Sequence, residues 1–541
     1  MTPTVARGRS ALVRRLLPGL LLAVLALLLL PAAPASAHAV LVSSDPADGA
    51  RVEAAPAAVR LTFDEAVSLP PGATVALSTT GQRVDEGPAR LDGRVVVVPL
   101  RAAVPAGVYS VSWRLVSADS HVVSGSIRFG VQRDADAVQG PVVAGSPLDP
   151  ALAGATGLTY LGLSLGLGVP AAAALLWPAV RARRRVLGPA AVGLALVLLA
   201  TLAELLLRGP RASGGDWAGV LRLEDLGYTV TSLPGVVLLV RVVLLAVLAV
   251  LLLHRPAAAG RARLLAAGAV GVAVLLTVAL LGHAADGVVA LLVPAAVVHL
   301  AAMVLWLGGL VVLLAVVLPR VRRAPAAGLR LLRRWSVVAF VCVAALVVTG
   351  EIQAFPTVVP LDALWSTPYG VLLLVKLGLL AAVLAAAAAA QRTVARGSLP
   401  ARLRLRRVLA AEVVGVVAIL GVTGALSGTA TAAETYGPPV TRTVAAGSDR
   451  LVVDVDRTRR GSAVLHVRAL DPVGRPVRLA ALDGALATEG VGALDVTFRR
   501  DGAGWRSTDA TLPVSGEWTL TLDAEVSTAS AYAAKVGWPV W

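Results

Sequence analysis

Residues 234–254 read PGVVLLVRVVLLAVLAVLLLH, and this run decides the class of the fold. It carries one charged side chain, Arg241, and it matches the length of about 20 residues that a helix needs to cross a bilayer. The chain is 57% hydrophobic with a mean hydropathy of +0.78, which is too apolar for a soluble globular protein. The sequence predicts eight membrane spans, near 156–178, 187–207, 234–254, 264–282, 289–318, 336–355, 369–390 and 408–427.

The arginines between these runs predict the orientation of the spans. Four alternate loops hold 19 arginines, and the other three loops hold only Arg208, Arg211 and Arg222. Because cytoplasmic loops carry the excess of basic residues, we expect the arginine-rich loops to be cytoplasmic. Both flanking regions, 38–135 and 440–541, are then expected outside the cytoplasmic membrane of a bacterium.

The N-terminus has the three parts of a secretory signal peptide. Arginines between positions 7 and 15 precede the apolar run Leu16 to Leu30, and Ala35-Ser36-Ala37 forms a cleavage site. We expect residues 1–37 to be removed, which leaves His38 as the first residue. An uncleaved anchor helix is the alternative.

The two flanking regions alternate between apolar and polar residues in short runs, as half-buried strands do. In residues 38–135 the runs are 59–63, 94–100, 107–115 and 126–131; in residues 440–541 they are 451–455, 463–467, 494–498 and 518–522. The pattern predicts a β-sandwich or barrel at 38–135 and a β-sandwich-like domain at 440–541. A linker rich in Pro, Gly and Ala at 136–152 leads to the membrane part at 153–430.

The sparse sulfur-containing residues limit the chemistry of the chain. Cys342 is the only cysteine, which excludes an intrachain disulfide and a site built on several cysteines. After processing, Met303 is the only methionine, so a thioether-rich copper(I) site is not expected. The net charge is +16, but the basic residues lie mostly in short loops between apolar runs, and we expect no nucleic acid as a partner.

A mature chain that begins at His38 offers a metal two nitrogens, the free amine and the imidazole Nδ1. Asp119 and His121 are two positions apart, so they would share one face of a strand. One amine, two imidazoles and a carboxylate suit copper(II), and with less preference zinc. Taken alone, Asp119-Ser120-His121 also fits an exposed turn or strand edge.

The sequence around these residues resembles the CopC family of copper-binding proteins. The resemblance rests on HAVLVSSDPADG at 38–49, VRLTFD at 59–64 and YSVSWRLVSADSHVVSG at 109–125. It implies a Greek-key β-barrel or sandwich with a copper(II) site at His38, Asp119 and His121. The methionine-rich copper(I) site of some relatives is not carried over.

Ionisable residues within or beside the apolar runs mark candidate sites, because burying charge in a bilayer is costly. They are Glu204, Arg241, His283, Asp286, His299, Glu351 and Lys376. His283 is expected near the outer surface, and His299 about 15 Å deeper along its helix at ~1.5 Å per residue. The two could pass a metal inward, with Met303 one turn beyond His299 as a soft ligand or as ordinary packing. Arg241 and Lys376 could instead pair with Glu204 or Glu351.

The membrane part resembles the CopD family of copper-resistance membrane proteins. The resemblance rests on GHAA at 282–285, His299, LWLGGL at 305–310, Thr349-Gly350, TPYG at 367–370 with Lys376, and Glu412 with Thr423-Gly424. It implies an eight-helix protein that moves copper across the cytoplasmic membrane. CopC-like and CopD-like parts are known to occur fused.

These observations favour copper acquisition, in which the outer domain captures copper(II) and the helices carry copper inward. One alternative is sequestration or sensing of copper without transport, and another is a haem or redox protein with His283 and His299 as ligands. The sequence contains no Walker A motif, and no nucleophile–base pair stands out, so we expect neither ATP-driven pumping nor an enzyme. Other copper-handling proteins are candidate partners.

Overall fold

In the computed structural model, two β domains lie at one end of a helical bundle. It describes residues 39, 41–78, 82–102, 104–117, 122–135, 146–177, 184–254, 260–281, 289–317, 325–395, 401–489, 491–507, 510–527 and 530–541. The predicted signal peptide, His38, Asp119, His121, His283 and Asp286 lie outside the described residues.

The N-terminal domain contains two β-sheets. Its strands are β1 (Leu41–Asp45), β2 (Arg51–Val52), β3 (Ala58–Phe63), β4 (Val67–Ser68), β5 (Thr74–Ser78), β6 (Arg90–Asp92), β7 (Val95–Pro99), β8 (Gly107–Ser117) and β9 (Val122–Val131). One sheet has the order β1-β3-β7-β6, and the other has the order β2-β9-β8-β4 with β5 also paired to β8. The four predicted runs all lie in strands of this domain.

The core of this domain follows from the alternation. Val59, Leu61 and Phe63 on β3 are buried, while the residues between them are not. Phe63 meets Trp113 of β8 edge to face, with ring centroids 6.2 Å apart. Ala39, the residue after His38, is 2% exposed and belongs to the same core, so the start of the domain is tied into it.

Eight long helices form the bundle. They are α1 (Asp149–Leu176), α2 (Arg184–Ser213), α3 (Leu233–Leu253), α4 (Arg261–Ala279), α5 (Val289–Val312), α6 (Pro325–Ala354), α7 (Pro368–Ala395) and α8 (Ala401–Ser427). Within the described residues, seven helices are long and apolar enough to cross a membrane, while the apolar stretch found in α8, Val414–Ser427, is shorter than a span. The predicted count of eight spans is therefore not confirmed.

The start of α1 differs from the prediction. The helix begins at Asp149, inside the stretch predicted as a linker, because Pro150 suits the first turn of a helix and Asp149 accepts a hydrogen bond from the Ser146 amide at 2.8 Å. A π-helical turn at Ser164–Gly168 interrupts α1 just before Pro170, which lacks a backbone donor. A second π-helical turn, Leu313–Val317, follows α5.

Short elements connect the helices. Between α2 and α3 lie a 3₁₀ turn, Trp217–Leu221, and the helix Leu223–Thr231. Between α6 and α7 lie Phe355–Thr357 and Ala363–Ser366, and Ala432–Thr435 follows α8.

The C-terminal domain is a barrel-like sheet rather than the predicted sandwich. Its strands are β10 (Val440–Ala446), β11 (Asp449–Val455), β12 (Gly461–Ser462), β13 (Leu465–Leu470), β14 (Pro476–Val477), β15 (Ala481–Thr488), β16 (Val491–Asp501), β17 (Gly504–Ser507), β18 (Thr511–Leu512), β19 (Gly516–Ser527) and β20 (Ser530–Val540). The sheet runs β10-β11-β13-β17-β16-β15-β19-β20. Arg442 of β10 donates to the Gly537 carbonyl of β20 at 3.3 Å, so the two ends of the sheet come together.

Polar contacts join the two β domains to each other and to the helices. Arg114 of β8 donates to the Arg211 carbonyl at the end of α2, at 3.4 Å. Arg460 of the C-terminal domain lies 4.0 Å from the Asp64 carboxylate, and both side chains are mostly buried. Arg499 donates to the Ala135 carbonyl at 3.5 Å. The N-terminal domain thus contacts both the end of α2 and the C-terminal domain.

Candidate functional site between the N-terminal domain and the helices

A cavity of about 700 Å³ lies between the N-terminal domain and the domain-facing end of the bundle. Ser117, at the end of β8, and Val122, at the start of β9, line its wall on the domain side. The residues between them, 118–121, carry the predicted ligands Asp119 and His121. The cavity therefore adjoins both ends of the segment that carries two of the predicted copper(II) ligands.

The helices supply the opposite wall of the cavity. Leu281 lines it, and the next residues in the chain are 282–288, which include His283 and Asp286. Hydroxyl groups from several helices and connections contribute polar surface: Thr156, Tyr228, Thr229, Thr231, Ser232 and Ser427. The segments carrying three of the predicted ligands, Asp119, His121 and His283, thus begin at the walls of one cavity.

Glu204 of α2 lies at the bundle side of the cavity and is 5% exposed. Its two oxygens lie 3.6 Å from Nη2 of Arg208 and 3.7 Å from Nη1 of Arg241. Arg241 also donates from Nε and Nη2 to the side chain and carbonyl of Thr277, both at 3.0 Å. The predicted pairing of Arg241 with Glu204 is confirmed, and it links α2, α3 and α4.

His299 lies half-buried on α5, just before the middle of the helix. Its Nδ1 is 3.0 Å from Oγ1 of Thr349 on α6, and that hydroxyl donates to the Ala345 carbonyl at 2.5 Å. Because the hydroxyl proton is used in this way, Oγ1 is the acceptor and Nδ1 carries the imidazole proton. The lone pair of Nε2 is then available to a metal.

The backbone of α6 permits this contact. A Cβ atom at Gly350 would lie 3.4 Å from Cε1 of His299, so glycine lets the ring lie against the helix. Lys376 of α7 is half-buried. Among the described residues Lys376 makes no ion pair, and Glu351 is exposed, so the suggested pairing of these two residues is not found.

Met303 lies one turn after His299 and packs against two hydrophobic clusters. Cys342 of α6 is 4% exposed and belongs to one of these clusters. Within the part of the chain that the structure describes, no three His, Cys, Asp or Glu residues are grouped closely enough to hold a metal ion.

Sequence reasoning missed the partners of two predicted residues, Thr349 beside His299 and Thr277 beside Arg241. The sequence does carry a signal for Thr349, because Thr349-Gly350 is one of the stretches that resemble the CopD family. No signal existed for Thr277, since threonine is common in apolar helices and often bonds to its own helix. The cavity has no sequence signature, because its walls come from separate parts of the chain.

Two family matches cover parts of the chain. Residues 41–132 match the CopC domain family, and residues 329–426 match the family described as copper resistance protein D, CopD. The first match includes Asp119 and His121, and the second covers most of α6 together with α7 and α8.

Two similar proteins are named for copper transport and copper resistance. The copper transport protein CutJ of Bacillus subtilis (strain 168) is 28% identical over 363 residues, which cover 63% of this chain and 65% of that protein. The alignment thus spans just under two thirds of that relative's length. Copper resistance protein C of Pseudomonas syringae pv. tomato is 33% identical over 112 residues, which cover 19% of this chain and 88% of that protein.

A solved structure of CopC from Methylosinus trichosporium OB3b is 32% identical, covers 17% of this chain and 93% of that chain, and gives a TM-score of 0.16. The seven apolar helices and the CopD match identify a multi-pass membrane protein. The chain belongs to the CopC family through its N-terminal domain, and the same polypeptide carries a region that matches the CopD family.

Proposed function

We propose that this protein binds copper(II) outside the cytoplasmic membrane and carries copper inward across it. The ligands of the outer site are the amine and imidazole of His38, the carboxylate of Asp119 and the imidazole of His121. The arginine-rich loops support this orientation, because they place the end of the bundle that faces the β domains outside.

The observation that carries the proposal is the cavity. Its domain wall includes Ser117 and Val122, which flank the segment with Asp119 and His121, and its helix wall includes Leu281, which precedes the segment with His283. Copper released from the domain would then lie beside the helix wall of this cavity. His283 is the proposed first acceptor in the membrane part.

His299 is the proposed second acceptor, because its Nε2 lone pair is available while Thr349 orients the ring. Hydrogen bonding of the other ring nitrogen is the usual way in which proteins orient a metal-ligating histidine. Met303, one turn deeper, can supply a soft ligand for copper(I).

One observation favours a second function, copper sequestration without transport. Two arginines, Arg208 and Arg241, face one carboxylate, Glu204, at the bundle side of the cavity. An excess of positive charge opposes the entry of a cation into the bundle, whereas binding on the outer domain is unaffected.

The deciding experiment measures copper content by mass spectrometry in a deletion strain complemented with wild type, His38→Ala, His299→Ala or His254→Ala. His254 is an exposed histidine at the end of α3 and is the matched control. Import predicts low copper after deletion, rescue by wild type and His254→Ala, and failure of rescue by His299→Ala. Higher copper after deletion would contradict import.

Uptake into proteoliposomes separates transport from sequestration. His299→Ala should abolish uptake while the protein still binds copper(II) at its N-terminal domain. If wild-type protein binds copper but moves none across the bilayer, sequestration is the function.

A further inference from the structure

The connection between α2 and α3 carries large apolar side chains that the described parts of the structure leave uncovered. In its 3₁₀ turn and at the start of its short helix, Trp217 is 59% exposed, Leu221 84% and Leu223 83%. Single exposed leucines are common on soluble proteins, but a group of large apolar side chains in one stretch marks an interaction surface. We therefore expect a partner to cover this connection.

The short helix of the connection has three different sides. Asp225 and Thr229, one turn apart, are buried against α2. At 3.6 residues per turn, Leu223 lies on one outer flank, whereas Glu224 and Thr231 lie on the other. All three of these outer residues are exposed. One buried side, one apolar flank and one polar flank are what a helix has when it lies along the surface of a bilayer.

The exposed apolar surface continues from the connection along α3. Residues three or four positions apart form one exposed stripe on this helix: Leu233, Val236, Val240, Val243, Val247 and Val250. Because α3 is one of the helices long and apolar enough to cross a membrane, lipid covers this stripe. The connection is thus continuous with a surface that contacts lipid.

The ends of the connection indicate its depth. Just before it, the Arg211 carbonyl accepts a hydrogen bond from Arg114 of the N-terminal domain, which lies outside the bilayer. Just after it, α3 begins at Leu233 and enters the bilayer. Arg222, within the apolar part of the connection, is exposed and complements the negative charge of lipid phosphates. Tryptophan is the residue that membrane proteins concentrate at this boundary.

We propose that residues 214–232 lie in the headgroup layer of the leaflet nearest the β domains. Trp217, Leu221 and Leu223 reach towards the acyl chains, and Arg222 contacts lipid phosphate. A protein partner would also cover apolar side chains, but it would not explain why they continue the lipid-facing stripe of α3. The proposal does not depend on copper transport, because it follows from exposed surface and helix geometry alone.

The test uses the full-length protein in liposomes of phosphatidylcholine and phosphatidylglycerol, with a nitroxide label on one introduced cysteine. Cys342 is buried, so it adds little background. Electron paramagnetic resonance measures how well oxygen, which concentrates in lipid, and a water-soluble nickel chelate reach the label. Leu221→Cys and Leu223→Cys test the connection. Val243→Cys, on the exposed stripe of α3, is the lipid reference, and the exposed Ser448→Cys is the water reference.

Labels at Leu221 and Leu223 should show an oxygen-to-nickel accessibility ratio several-fold above that at Ser448 and closer to that at Val243. Glu224→Cys is the matched control, because its label lies on the polar flank of the same helix and should give a ratio near that of water. A water-like ratio at either leucine would overturn the proposal. Low accessibility to both reagents would also overturn it, since a protein surface would then cover the connection. Equal ratios at Leu223 and Glu224 would exclude the proposed orientation of the helix.

Discussion

Thr349 fixes the tautomer and the orientation of the His299 imidazole ring. The threonine hydroxyl donates to Ala345 and accepts from Nδ1, which leaves Nε2 as the metal-binding nitrogen. Without that acceptor, both tautomers and several ring orientations become accessible.

Thr349→Val keeps the shape of the side chain but removes the acceptor. We expect copper uptake into proteoliposomes to fall roughly 10–100-fold, as is common when the partner of a metal-ligating histidine is lost. Thr349→Ser retains the hydroxyl and is the control. Equal loss in both variants would indicate that packing, not the hydrogen bond, matters at this position.

The proposed copper(II) chelate formed by the amine and the imidazole of His38 can also be tested. One glycine added before His38 displaces the amine from the imidazole of the same residue. Copper(II) binding by the 38–135 fragment, measured by calorimetry at pH 7, should weaken by more than about tenfold, or ~1.4 kcal/mol. A glycine added after residue 135 should have no effect, and equal affinity of the N-terminally extended fragment would disprove the chelate.

Asp85 gives a pH-dependent prediction. It is nearly buried, and Nη2 of Arg83 bonds it at 2.6 Å. That hydrogen bond holds the pKa of Asp85 below its ordinary value of 3.8. The stabilisation is therefore present above about pH 3.8 and is lost as the pH falls through the lower pKa of the folded state.

Arg83→Gln should lower the Tm of the 38–135 fragment by several degrees at pH 7, at ~4–8 °C per kcal/mol for a domain of this size. The difference from wild type should shrink as the pH falls through the lowered pKa of Asp85, because the carboxyl group then becomes neutral in both proteins. Circular dichroism measures this, with the exposed Arg90→Gln as control. A difference that does not change with pH would show that the ion pair is not its cause.

The sequence identifies a functional residue when that residue type is rare in the surrounding stretch. A histidine or an arginine in an apolar run stands out, so His299, Arg241 and Glu204 were identified without a structure. Their threonine partners were not, because a hydroxyl costs little in a helix and leaves no distinct pattern.

At the scale of elements, close backbone contacts determine how the helices pack. A Cβ atom at Gly308 of α5 would lie 2.0 Å from the carbonyl carbon of Gly168 in α1, and Gly309 lies against the ring of Trp335 in α6. Small residues let membrane helices approach closely. The two glycines of the LWLGGL stretch at 305–310 therefore have a packing role.

Gly308→Ala should destabilise the bundle by about 1–3 kcal/mol, because α1 and α5 must separate. Gly268→Ala in α4 is the control, since a Cβ there meets nothing within 4 Å. Thermal unfolding of the detergent-solubilised protein measures both. A Gly308→Ala protein as stable as the Gly268→Ala protein would show that the contact can relax without cost.

Helices and strands were predicted well where a single sequence pattern marks them. Apolar length located the helices, and alternation located the strands of the N-terminal domain. The start of α1 was missed, because Asp149 and Pro150 in its first turn are typical of a helix start but are not apolar. The closure of the C-terminal sheet was missed, because alternation identifies strands but not their partners.

At the scale of the whole molecule, orientation in the membrane remains a prediction. Cys342 is the only cysteine and is buried, so an introduced cysteine can be labelled against a low background. Ser448→Cys lies on an exposed turn between β10 and β11, and Ala262→Cys lies at the start of α4.

A membrane-impermeant maleimide should label Ser448→Cys in intact cells and Ala262→Cys only after permeabilisation. Mass spectrometry of the purified protein measures the labelled fraction, and the unsubstituted chain is the control. The reverse pattern would invert the topology and exclude import through the outer domain.

The arrangement of the domains relative to one another was the feature least predictable from the sequence. Charge asymmetry suggested on which side each region lies, but the cavity arises from contacts between residues about 100 positions apart, such as Arg114 with Arg211. Such contacts depend on shape and on a few hydrogen bonds, and neither is visible in a run of residues.

The contacts of Arg460 with Asp64 and of Arg499 with Ala135 bear on the kinetics of metal handover. A tethered and docked domain presents its metal at a fixed, high effective concentration, so transfer to the helices becomes a first-order step. Its rate should not change with the density of the protein in the membrane. A soluble chelator should compete with loading of the domain far more strongly than with the handover that follows.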